Sequence, residues 1–361
     1  MKLKIDLDNI LSFEKIFDFE KLKKRELLRF YFNNLTKHHY KKCISYKKIC
    51  DNQSYNPKKN YEINELPFLP VSLFKSLDLL SVKKDDISRT MHSSGTTGMK
   101  RSKIYLDKIN SKNQMRALSK LFYEMMGASN RVPMLIIDNN SAQNKNYFSA
   151  RAAAITGFSI FSSERTYALN EDLSVNVKII NDFLERNKDK EKIILGLTSI
   201  IWEKFILNNE LLNIKADFSK TTLLHGGGWK KLEKKNISNK KFKNILKEKF
   251  NINKIVNYYG MIEQTGSIFF ECEKCENFVT SVFSDIYIRD KYLNDVGPNK
   301  KGMIQLVSVL PTSYPGHNVI TEDIGEIIGE DNCSCGKMGK RFKVFGRLKK
   351  SEIRGCSDAI S

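Results

Sequence analysis

A short stretch near residue 100 combines small hydroxyl residues, glycines and cations in a way that suits a phosphate. It reads HSSGTTGMKRSK, from His92 to Lys103. Glycine adopts backbone dihedrals that a Cβ forbids, and hydroxyl and backbone N–H groups donate hydrogen bonds to an anion. Lys100, Arg101 and Lys103 add positive charge beside these donors. The stretch predicts a phosphate-binding loop, with an ordinary surface turn as the alternative.

Two further glycine-rich segments accompany apolar strand candidates. They are HGGGWKK at 225–231 and YYGMIEQTG at 258–266. Open α/β sheets bind ligands at the carboxyl ends of their strands, so these segments predict more of a ligand site. Neither the G-x-x-x-x-G-K-S/T loop nor the dinucleotide pattern G-x-G-x-x-G occurs, since Gly95 and Gly98 are wrongly spaced for the first. The predicted ligand site is therefore neither a mononucleotide phosphate loop nor a Rossmann dinucleotide site.

Four of the seven cysteines fall in two pairs whose spacing suits a metal. ECEKC contains Cys272 and Cys275, and NCSCG contains Cys333 and Cys335. Two such pairs joined by β structure suit a tetrahedral zinc site, which would be closed and structural. The 57 residues between the pairs depart from a zinc ribbon, so free thiols and a redox pair stay open as alternatives.

The elements that must position these residues form a helical start, an α/β middle and a β-rich end. Residues 1–90 read as a helical region packed on the core, and 91–266 alternate short apolar strands with helices. The strand candidates are RVPMLIID (131–138), KIILG (192–196), TTLLHGGG (221–228) and KIVNYYG (254–260). Residues 267–347 carry short strands without helices, and 348–361 form a tail. The predicted fold class is α/β, a helix-flanked and mainly parallel sheet with a smaller antiparallel β region.

Composition and charge exclude several classes of protein. The chain has 361 residues, 41% of them hydrophobic, which is too many for a disordered chain. It contains no apolar run long enough to span a membrane and no signal peptide, and with seven cysteines this predicts a cytoplasmic protein. The net charge is +20, but the lysines of Lys230–Phe250 decorate the polar face of a predicted helix. Nucleic acid is therefore not the expected partner.

Taken in order, these segments resemble the motifs of the adenylate-forming enzymes, which include acyl-CoA synthetases, luciferases and peptide-synthetase adenylation domains. SSGTTG matches their phosphate loop, YYGMIEQTG their Y-G-x-T/S-E segment, TEDIGE their T-x-D-x-G segment and VFGRLKK their G-R segment. LPVSLFKS, HGGGWKK, SVLPTSYPGHNVITEDIGE and GRLKKSEIRGCSD further resemble the acyl-protein synthetases of bacterial bioluminescence, the LuxE type. The resemblance runs from about residue 66 to the end. It implies the adenylate-forming fold, a carboxylic acid substrate such as a long-chain fatty acid, and ATP with Mg²⁺ as cofactors.

The resemblance also implies roles for individual residues. The β- and γ-phosphates would be wrapped by six loop residues, Ser93, Ser94, Gly95, Thr96, Thr97 and Gly98. Lys100 and Lys103 would neutralise phosphate charge, and Glu263 would hold the Mg²⁺. Asp323 would accept hydrogen bonds from the ribose hydroxyls, and Arg347 would bind ribose or phosphate. Three residues would frame the adenine: Gly226, Gly227 and Tyr259.

Two departures from the family pattern matter. The hydroxyl residue that usually precedes the motif glutamate is Ile262 here, so Thr265 or Ser267 is expected to supply that hydrogen bond. The chain ends 14 residues after Arg347. The mobile C-terminal domain of roughly 100 residues that usually follows is therefore expected to be absent. Coenzyme A ligases use that domain for the thioester step, so a phenylacetate-type acyl-CoA ligase is the second hypothesis.

A cysteine near the end of the chain offers another acceptor for the acyl group. Cys356 lies in SEIRGCSDAIS, and the nearby Lys349, Lys350 and Arg354 favour its thiolate form. By the resemblance, Cys356 would receive the acyl group and pass it to an acyl reductase or an acyl carrier protein. The predicted function is an ATP-dependent acyl-protein synthetase. A basic zinc-containing nucleic-acid-binding protein is the non-enzymatic alternative.

Overall fold

The computed structural model describes residues 5–93, 101–127, 130–140, 150–208, 211, 217–227 and 237–348. The chain divides into two compact units. The first, here called the discontinuous unit, comprises Met1–Leu121 and Gly260–Ser361, and the second, the central unit, is Phe122–Tyr259. The domain limits expected from the sequence do not coincide with this division, because residues 91–121 and 260–266 fold within the discontinuous unit.

The N-terminal half of the discontinuous unit is helical. Its helices are α1 (Asp8–Ser12), α2 (Lys21–Lys42), α3 (Ile44–Asn52) and the first part of α4 (Lys108–Met126). Short 3-10 turns lie at Ile63–Glu65, Val71–Lys75, Lys84–Asp86 and Ile262–Gln264. On α2, Leu28, Phe32, Leu35 and His39 are buried, and their spacing of three or four residues places them on one face. That face packs into the core of the unit.

A mixed sheet, antiparallel except for one short strand, forms the rest of the discontinuous unit. Its strands are β1 (Leu69–Pro70), β10 (Phe278–Val279), β11 (Ser284–Arg289), β12 (Lys301–Ser308), β13 (Asn318–Glu330) and β14 (Lys340–Arg347). The order is β10-β14-β13-β12-β11, and β1 pairs in parallel with β13. This is the smaller antiparallel region that the sequence predicts. A separate hairpin of β2 (Ile87–His92) and β3 (Lys103–Asp107) carries the predicted phosphate loop between its strands.

The central unit contains the parallel sheet. Its strands are β4 (Val132–Ile136), β5 (Ser162–Tyr167), β6 (Lys192–Leu197), β7 (Thr221–Gly226) and β8 (Lys254–Tyr259). They are arranged β5-β4-β6-β7-β8, and every pairing along this order is parallel. The four strands predicted from apolar runs are confirmed. Strand β5 was not predicted, because its sequence SSERTY is mostly polar.

Helices cover this sheet and bury its apolar side chains. They are α5 (Ala150–Ser159), α6 (Val177–Arg186), α7 (Thr198–Ile200), a π-helical turn at Ile201–Ile206 and α8 (Asn239–Phe250). On α8, Phe242, Leu246 and Phe250 are buried, as their spacing predicts. Ser238 caps the start of α8 by accepting a hydrogen bond from the Lys241 backbone N–H at 3.2 Å. Among the described residues, no helix combines the length and hydrophobicity that a membrane span requires.

Candidate active site

The base of the predicted phosphate loop is closed by two serines. The backbone N–H of Ser93 donates to the carbonyl of Ser102 at 3.1 Å, and the Ser102 N–H donates to Ser93 Oγ at 2.9 Å. Strand pairing places His92 opposite Lys103 directly below them. The loop is thus the connection of a closed hairpin. Its members Ser94, Gly95, Thr96, Thr97, Gly98 and Lys100 lie outside the described residues.

Glu263 lies beside the base of this loop. It belongs to the turn Ile262–Gln264, and only 6% of its surface is exposed. Burial raises the pKa of the Glu263 carboxyl, while the Ser102 hydroxyl, Arg347 and Lys75 act in the opposite direction. The Ser102 hydroxyl faces the carboxyl but reaches full hydrogen-bonding geometry with no described residue. A buried carboxylate is therefore surrounded by a hydroxyl and two cations.

Neighbouring buried groups hold the Glu263 turn in place. The Gln264 side-chain amide donates to the carbonyls of Leu306 and Gly316, both at 2.9 Å. Gly316 has no room for a side chain, since a Cβ there would lie 2.6 Å from the Glu263 carbonyl oxygen. The fully buried Tyr314 is close enough for the Glu263 charge to raise the pKa of its phenol, after burial itself as the larger cause. The turn is a rigid part of the core.

The hydroxyls expected to compensate for Ile262 are engaged elsewhere. Thr265 Oγ1 donates to the carbonyl of Ile262 at 2.6 Å. Ser267 is buried, and its hydroxyl is hydrogen-bonded to that of Ser308. Tyr314 was not singled out from the sequence, yet its buried hydroxyl completes no hydrogen bond with a described residue. It is a better candidate for this contact than Ser267.

Asp323 and Arg347 form an ion pair across the β13–β14 ladder. They are direct register partners, and Arg347 Nε donates to Asp323 Oδ1 at 3.2 Å. A second carboxylate, Glu322, lies 3.8 Å from Arg347 Nη1. The Leu348 N–H donates to the Glu322 carbonyl at 2.9 Å, which fixes the start of the tail at this point. Arg347 thus forms an ion pair with Asp323, and its charge also opposes the rise in the pKa of Glu263.

Of the two lysines predicted to neutralise phosphate charge, Lys103 lies among the described residues and is close to a carboxylate. Lys103 Nζ lies 3.8 Å from Asp78, and both side chains are largely exposed. Asp78 also accepts a hydrogen bond from Tyr105 at 2.6 Å. Lys75, at the end of the turn Val71–Lys75, is the second cation whose charge opposes the raised Glu263 pKa. The sequence identifies its segment LPVSLFKS as a motif. Lys75 and Glu263 are almost 190 residues apart in the sequence, so the sequence alone does not predict that they lie close together.

The residues predicted to frame the adenine lie in the central unit, at the carboxyl ends of two adjacent strands. Gly226 ends β7 and Tyr259 ends β8. A Cβ on Gly226 would lie 2.6 Å from the Tyr258 carbonyl oxygen, and Gly227 has a φ of +68°. Both positions therefore require glycine. Strand ends of this kind are where open parallel sheets bind ligands.

The structure brings cysteines from both predicted pairs together. Sγ of Cys272 lies 3.7 Å from that of Cys333, which lies 3.0 Å from that of Cys335. Cys275 is half-buried in the same turn as Cys272. Cys356 lies outside the described residues.

Comparison with known proteins identifies the family. The family model described as "Acyl-protein synthetase, LuxE" matches residues 4–361. The long-chain-fatty-acid–luciferin-component ligase of Aliivibrio fischeri is 22% identical over 325 residues, which cover 88% of this chain and 84% of that protein. The ligase of the same name from Vibrio harveyi is 22% identical over 333 residues, covering 90% and 84%.

Solved structures agree on the fold. An open conformation of 2-hydroxyisobutyryl-CoA ligase in complex with 2-HIB-AMP and CoA matches with a TM-score of 0.72 and 11% identity, covering 92% of this chain and 77% of that one. Its postadenylation state matches with a TM-score of 0.69 and 12% identity, covering 96% and 74%. The adenylate-forming fold expected from the sequence is confirmed. The chain belongs to the LuxE family of acyl-protein synthetases and is an ATP-dependent ligase that activates an acyl group.

Proposed function

We propose that this protein activates a long-chain fatty acid as an acyl-adenylate and transfers the acyl group to the thiol of Cys356. The names of its relatives specify a long-chain fatty acid, which supports this substrate class. The proposal replaces the nucleic-acid-binding alternative, because the family consists of ligases.

One observation carries the proposal. Within the discontinuous unit, the base of the serine- and glycine-rich loop at Ser102 faces the buried Glu263, and Arg347 acts on the same carboxyl. A loop that suits phosphate oxygens, a carboxylate that suits a metal and a cation that suits either thus lie around one place. A surface turn would not require this combination.

The first step needs positioning and charge neutralisation more than covalent help from the protein. A carboxylate oxygen of the fatty acid attacks the α-phosphorus of ATP, the bond from that phosphorus to the bridging oxygen breaks, and pyrophosphate leaves. Negative charge builds up on the phosphate oxygens during this exchange. Lys75, Arg347 and the donors of the loop would stabilise that charge.

The residues around Glu263 fit the magnesium ion that the fold implies. Mg²⁺ prefers oxygen ligands and keeps several waters, so it needs one or two carboxylates rather than a complete cage. Glu263 supplies a buried carboxylate, and the hydroxyls of Ser102 and Tyr314 complete no hydrogen bonds with described residues. When bound there, Mg²⁺ would neutralise the pyrophosphate leaving group. The protein's own part is to favour the charged form of this buried carboxylate through the charges of Arg347 and Lys75.

Residues recognised through their motifs would bind the nucleoside. Asp323 would accept hydrogen bonds from the ribose hydroxyls, and its pairing with Arg347 orients its carboxylate. Gly226, Gly227 and Tyr259 would frame the adenine at the strand ends of the central unit.

In the second step, the Cys356 thiolate attacks the acyl carbon of the adenylate. A C–S bond forms, the bond from the acyl carbon to the AMP oxygen breaks, and AMP leaves. Cys356 lies nine positions after Arg347, and a chain of that length spans at most about 30 Å when extended. Because Leu348 is anchored to Glu322, the tail starts beside the proposed nucleotide site. The acyl group would then pass to an acyl reductase or an acyl carrier protein.

Labelled fatty acid tests the acceptor directly. With ATP and Mg²⁺, the wild-type chain should become labelled through a thioester that neutral hydroxylamine removes. Cys356→Ser should lose this label while its fatty-acid-dependent exchange of pyrophosphate into ATP continues. Ser357→Ala, one residue further along, is the matched control and should be labelled like the wild type.

Two results would contradict the proposal. Labelling of Cys356→Ser at the wild-type level would place the acyl group elsewhere. Formation of acyl-CoA in the presence of coenzyme A, with no labelled protein, would favour the acyl-CoA ligase instead.

A further inference from the structure

Two short turns present cysteines at the same end of the antiparallel sheet. The first lies between β9 (Phe269–Phe270) and β10 and contains Cys272 and Cys275. It is closed by hydrogen bonds from the Glu276 N–H to the Cys272 carbonyl at 2.8 Å and from the Cys272 N–H to the Asn277 carbonyl at 2.9 Å. The reversal of the chain within five residues leaves both thiols on one compact turn.

The second turn lies between β13 and β14 and contains Cys333 and Cys335. Its backbone closes by a hydrogen bond from the Gly336 N–H to the Cys333 carbonyl at 2.9 Å. Gly336 has a φ of +81°, a conformation that favours glycine at this position. Strand β10 pairs with β14, with Phe278 opposite Phe342, and this pairing brings the two turns together.

The separation between the sulfurs of Cys272 and Cys333 is close to that expected around a metal ion. Sγ of Cys272 and Sγ of Cys333 are 3.7 Å apart, and the sulfurs of Cys272, Cys333 and Cys335 all lie within 4.8 Å of one another. Sulfurs bound to zinc at about 2.3 Å occupy the corners of a tetrahedron, whose edge is about 3.8 Å. A disulfide would instead bring two sulfurs to about 2.05 Å. The closest pair, Cys333 and Cys335, is 3.0 Å apart, so none of these cysteines is in a disulfide.

The cluster of thiols is largely buried. Cys272 is 3% exposed and Cys333 is 8% exposed. Thiols are weak hydrogen-bond donors and acceptors, so clustering three of them gains little by itself. Among the described residues, the group of potential metal ligands at this place consists of Cys272, Cys333 and Cys335. This cluster therefore consists of soft, sulfur-containing metal ligands.

We propose that Cys272, Cys333 and Cys335 bind a structural Zn²⁺ ion, with Cys275 as the fourth ligand. On binding, each thiol releases its proton and forms a sulfur–zinc bond. Cys275 lies three residues after Cys272 in the same turn and is half-buried. Four thiolates leave no open coordination position, so the site is structural.

The ion would fasten the part of the sheet that carries the nucleotide-binding pair. The second turn joins β13 to β14 at one end of their ladder, and Asp323 and Arg347 face each other near the other end. Holding the turn against β10 would limit shear between the two strands. Loss of zinc should therefore loosen this hairpin before it affects the central unit.

Metal content tests the site without any assay of activity, so its failure is distinguishable from failure of the proposed function. The full chain, purified with reductant, should contain about one zinc per molecule by mass spectrometry of the metal. Reduced, metal-free protein titrated with Co²⁺ should show thiolate-to-metal absorption in the near ultraviolet. Absence of bound zinc together with absence of this absorption would overturn the proposal, as would a disulfide between Cys333 and Cys335 in protein purified with reductant.

Variants identify the ligands. Cys335→Ser should weaken Zn²⁺ binding by more than about 100-fold, because even outer contacts of metal ligands cost 10–100-fold. Cys43→Ala, which removes a buried thiol elsewhere in the unit, is the matched control and should bind zinc like the wild type. Wild-type affinity in Cys275→Ser would remove Cys275 from the ligand set. Should a variant fail to fold, the Co²⁺ titration of the unmodified chain decides the question alone.

Discussion

The core of the central unit and the region around Glu263 in the discontinuous unit bury different kinds of side chain. In the central unit, Phe205, Phe242 and Phe250 belong to a continuous apolar cluster between helices and sheet. Around Glu263, the buried side chains are a carboxylate, the amide of Gln264 and the phenol of Tyr314.

The apolar cluster contributes to stability, whereas the polar region around Glu263 would serve chemistry. Burying apolar surface is favourable by about 25 cal/mol per Å² and needs no particular partner. Burying a polar group costs free energy unless it is hydrogen-bonded or paired. The buried polar groups around Glu263 therefore cost free energy. Gln264 and Gly316 hold these groups in positions where a bound ligand can complete their polar interactions. We therefore expect substitutions in the two regions to have opposite consequences.

The largest effect on stability should come from the apolar cluster. The ring of Phe250 lies 4.7 Å from that of Phe205 and 5.6 Å from that of Phe218, centroid to centroid. Phe250→Ala should lower the free energy of unfolding by about 3–5 kcal/mol, because it removes these contacts and leaves a cavity. Urea unfolding measures the loss. Ile179→Ala, on the more exposed face of α6, is the control and should cost less than about 1 kcal/mol. A loss for Phe250→Ala no larger than that would contradict the packing described.

A smaller effect on the free energy of unfolding should appear in the discontinuous unit at acidic pH. His317 is fully buried, stacks on His39 at 4.8 Å and is hydrogen-bonded through Nε2 to Thr36 at 2.9 Å. Burial lowers the pKa of His317 to about 3, and it also holds the pKa of His39 well below its usual value. The unfolded chain, with a histidine pKa of about 6.5, binds these protons first. Stability should therefore fall as pH drops below about 6.5 and continue to fall toward the lower folded pKa.

His317→Gln separates this contribution from the rest. The amide can keep the contact with Thr36 but carries no titrating group, so the variant should lose about 2 kcal/mol less than the wild type between pH 7 and pH 5. Urea unfolding at the two pH values gives the difference. An equal loss in wild type and His317→Gln would show that the buried histidine does not account for acid sensitivity.

The smallest effect on stability should come from the exposed ion pairs. Asp323→Asn breaks the pair with Arg347, whose side chain is half exposed, and should change the free energy of unfolding by less than about 1 kcal/mol. Glu164→Gln, which breaks the exposed pair with Arg186 in the central unit, should have a similarly small effect. Only Asp323→Asn should raise the KM for ATP, by at least about tenfold, because it weakens a charged hydrogen bond to the ribose. Equal KM values in the two variants would remove Asp323 from the nucleotide site.

The parallel sheet could be predicted because its strands are continuous apolar runs. RVPMLIID, KIILG, TTLLHGGG and KIVNYYG became β4, β6, β7 and β8. Strand β5 could not be found in this way, since its polar side chains do not form such a run. The helical face of Phe242, Leu246 and Phe250 was likewise visible from spacing alone.

The candidate site was predictable only where a motif marks it. Glu263, Asp323 and Arg347 were found through their segments, and the convergence of Cys272, Cys333 and Cys335 followed from paired spacings. Ser102, Tyr314 and Lys75 were missed. Their contacts with Glu263 join positions between 51 and 188 residues apart, and such contacts leave no periodic pattern in a sequence.

The central claim, that the buried Glu263 serves chemistry and not stability, is tested most directly by Glu263→Gln. Fatty-acid-dependent exchange of pyrophosphate into ATP should fall by at least about 100-fold, since the site loses its proposed metal-binding charge. The melting temperature should stay the same or rise, because burial raises the pKa of this carboxyl, so that ionising it costs more free energy in the folded protein than in the unfolded chain. Glu326→Gln, on β13 of the same unit, should change neither quantity. Wild-type exchange in Glu263→Gln, or a melting temperature that falls together with activity, would contradict the account.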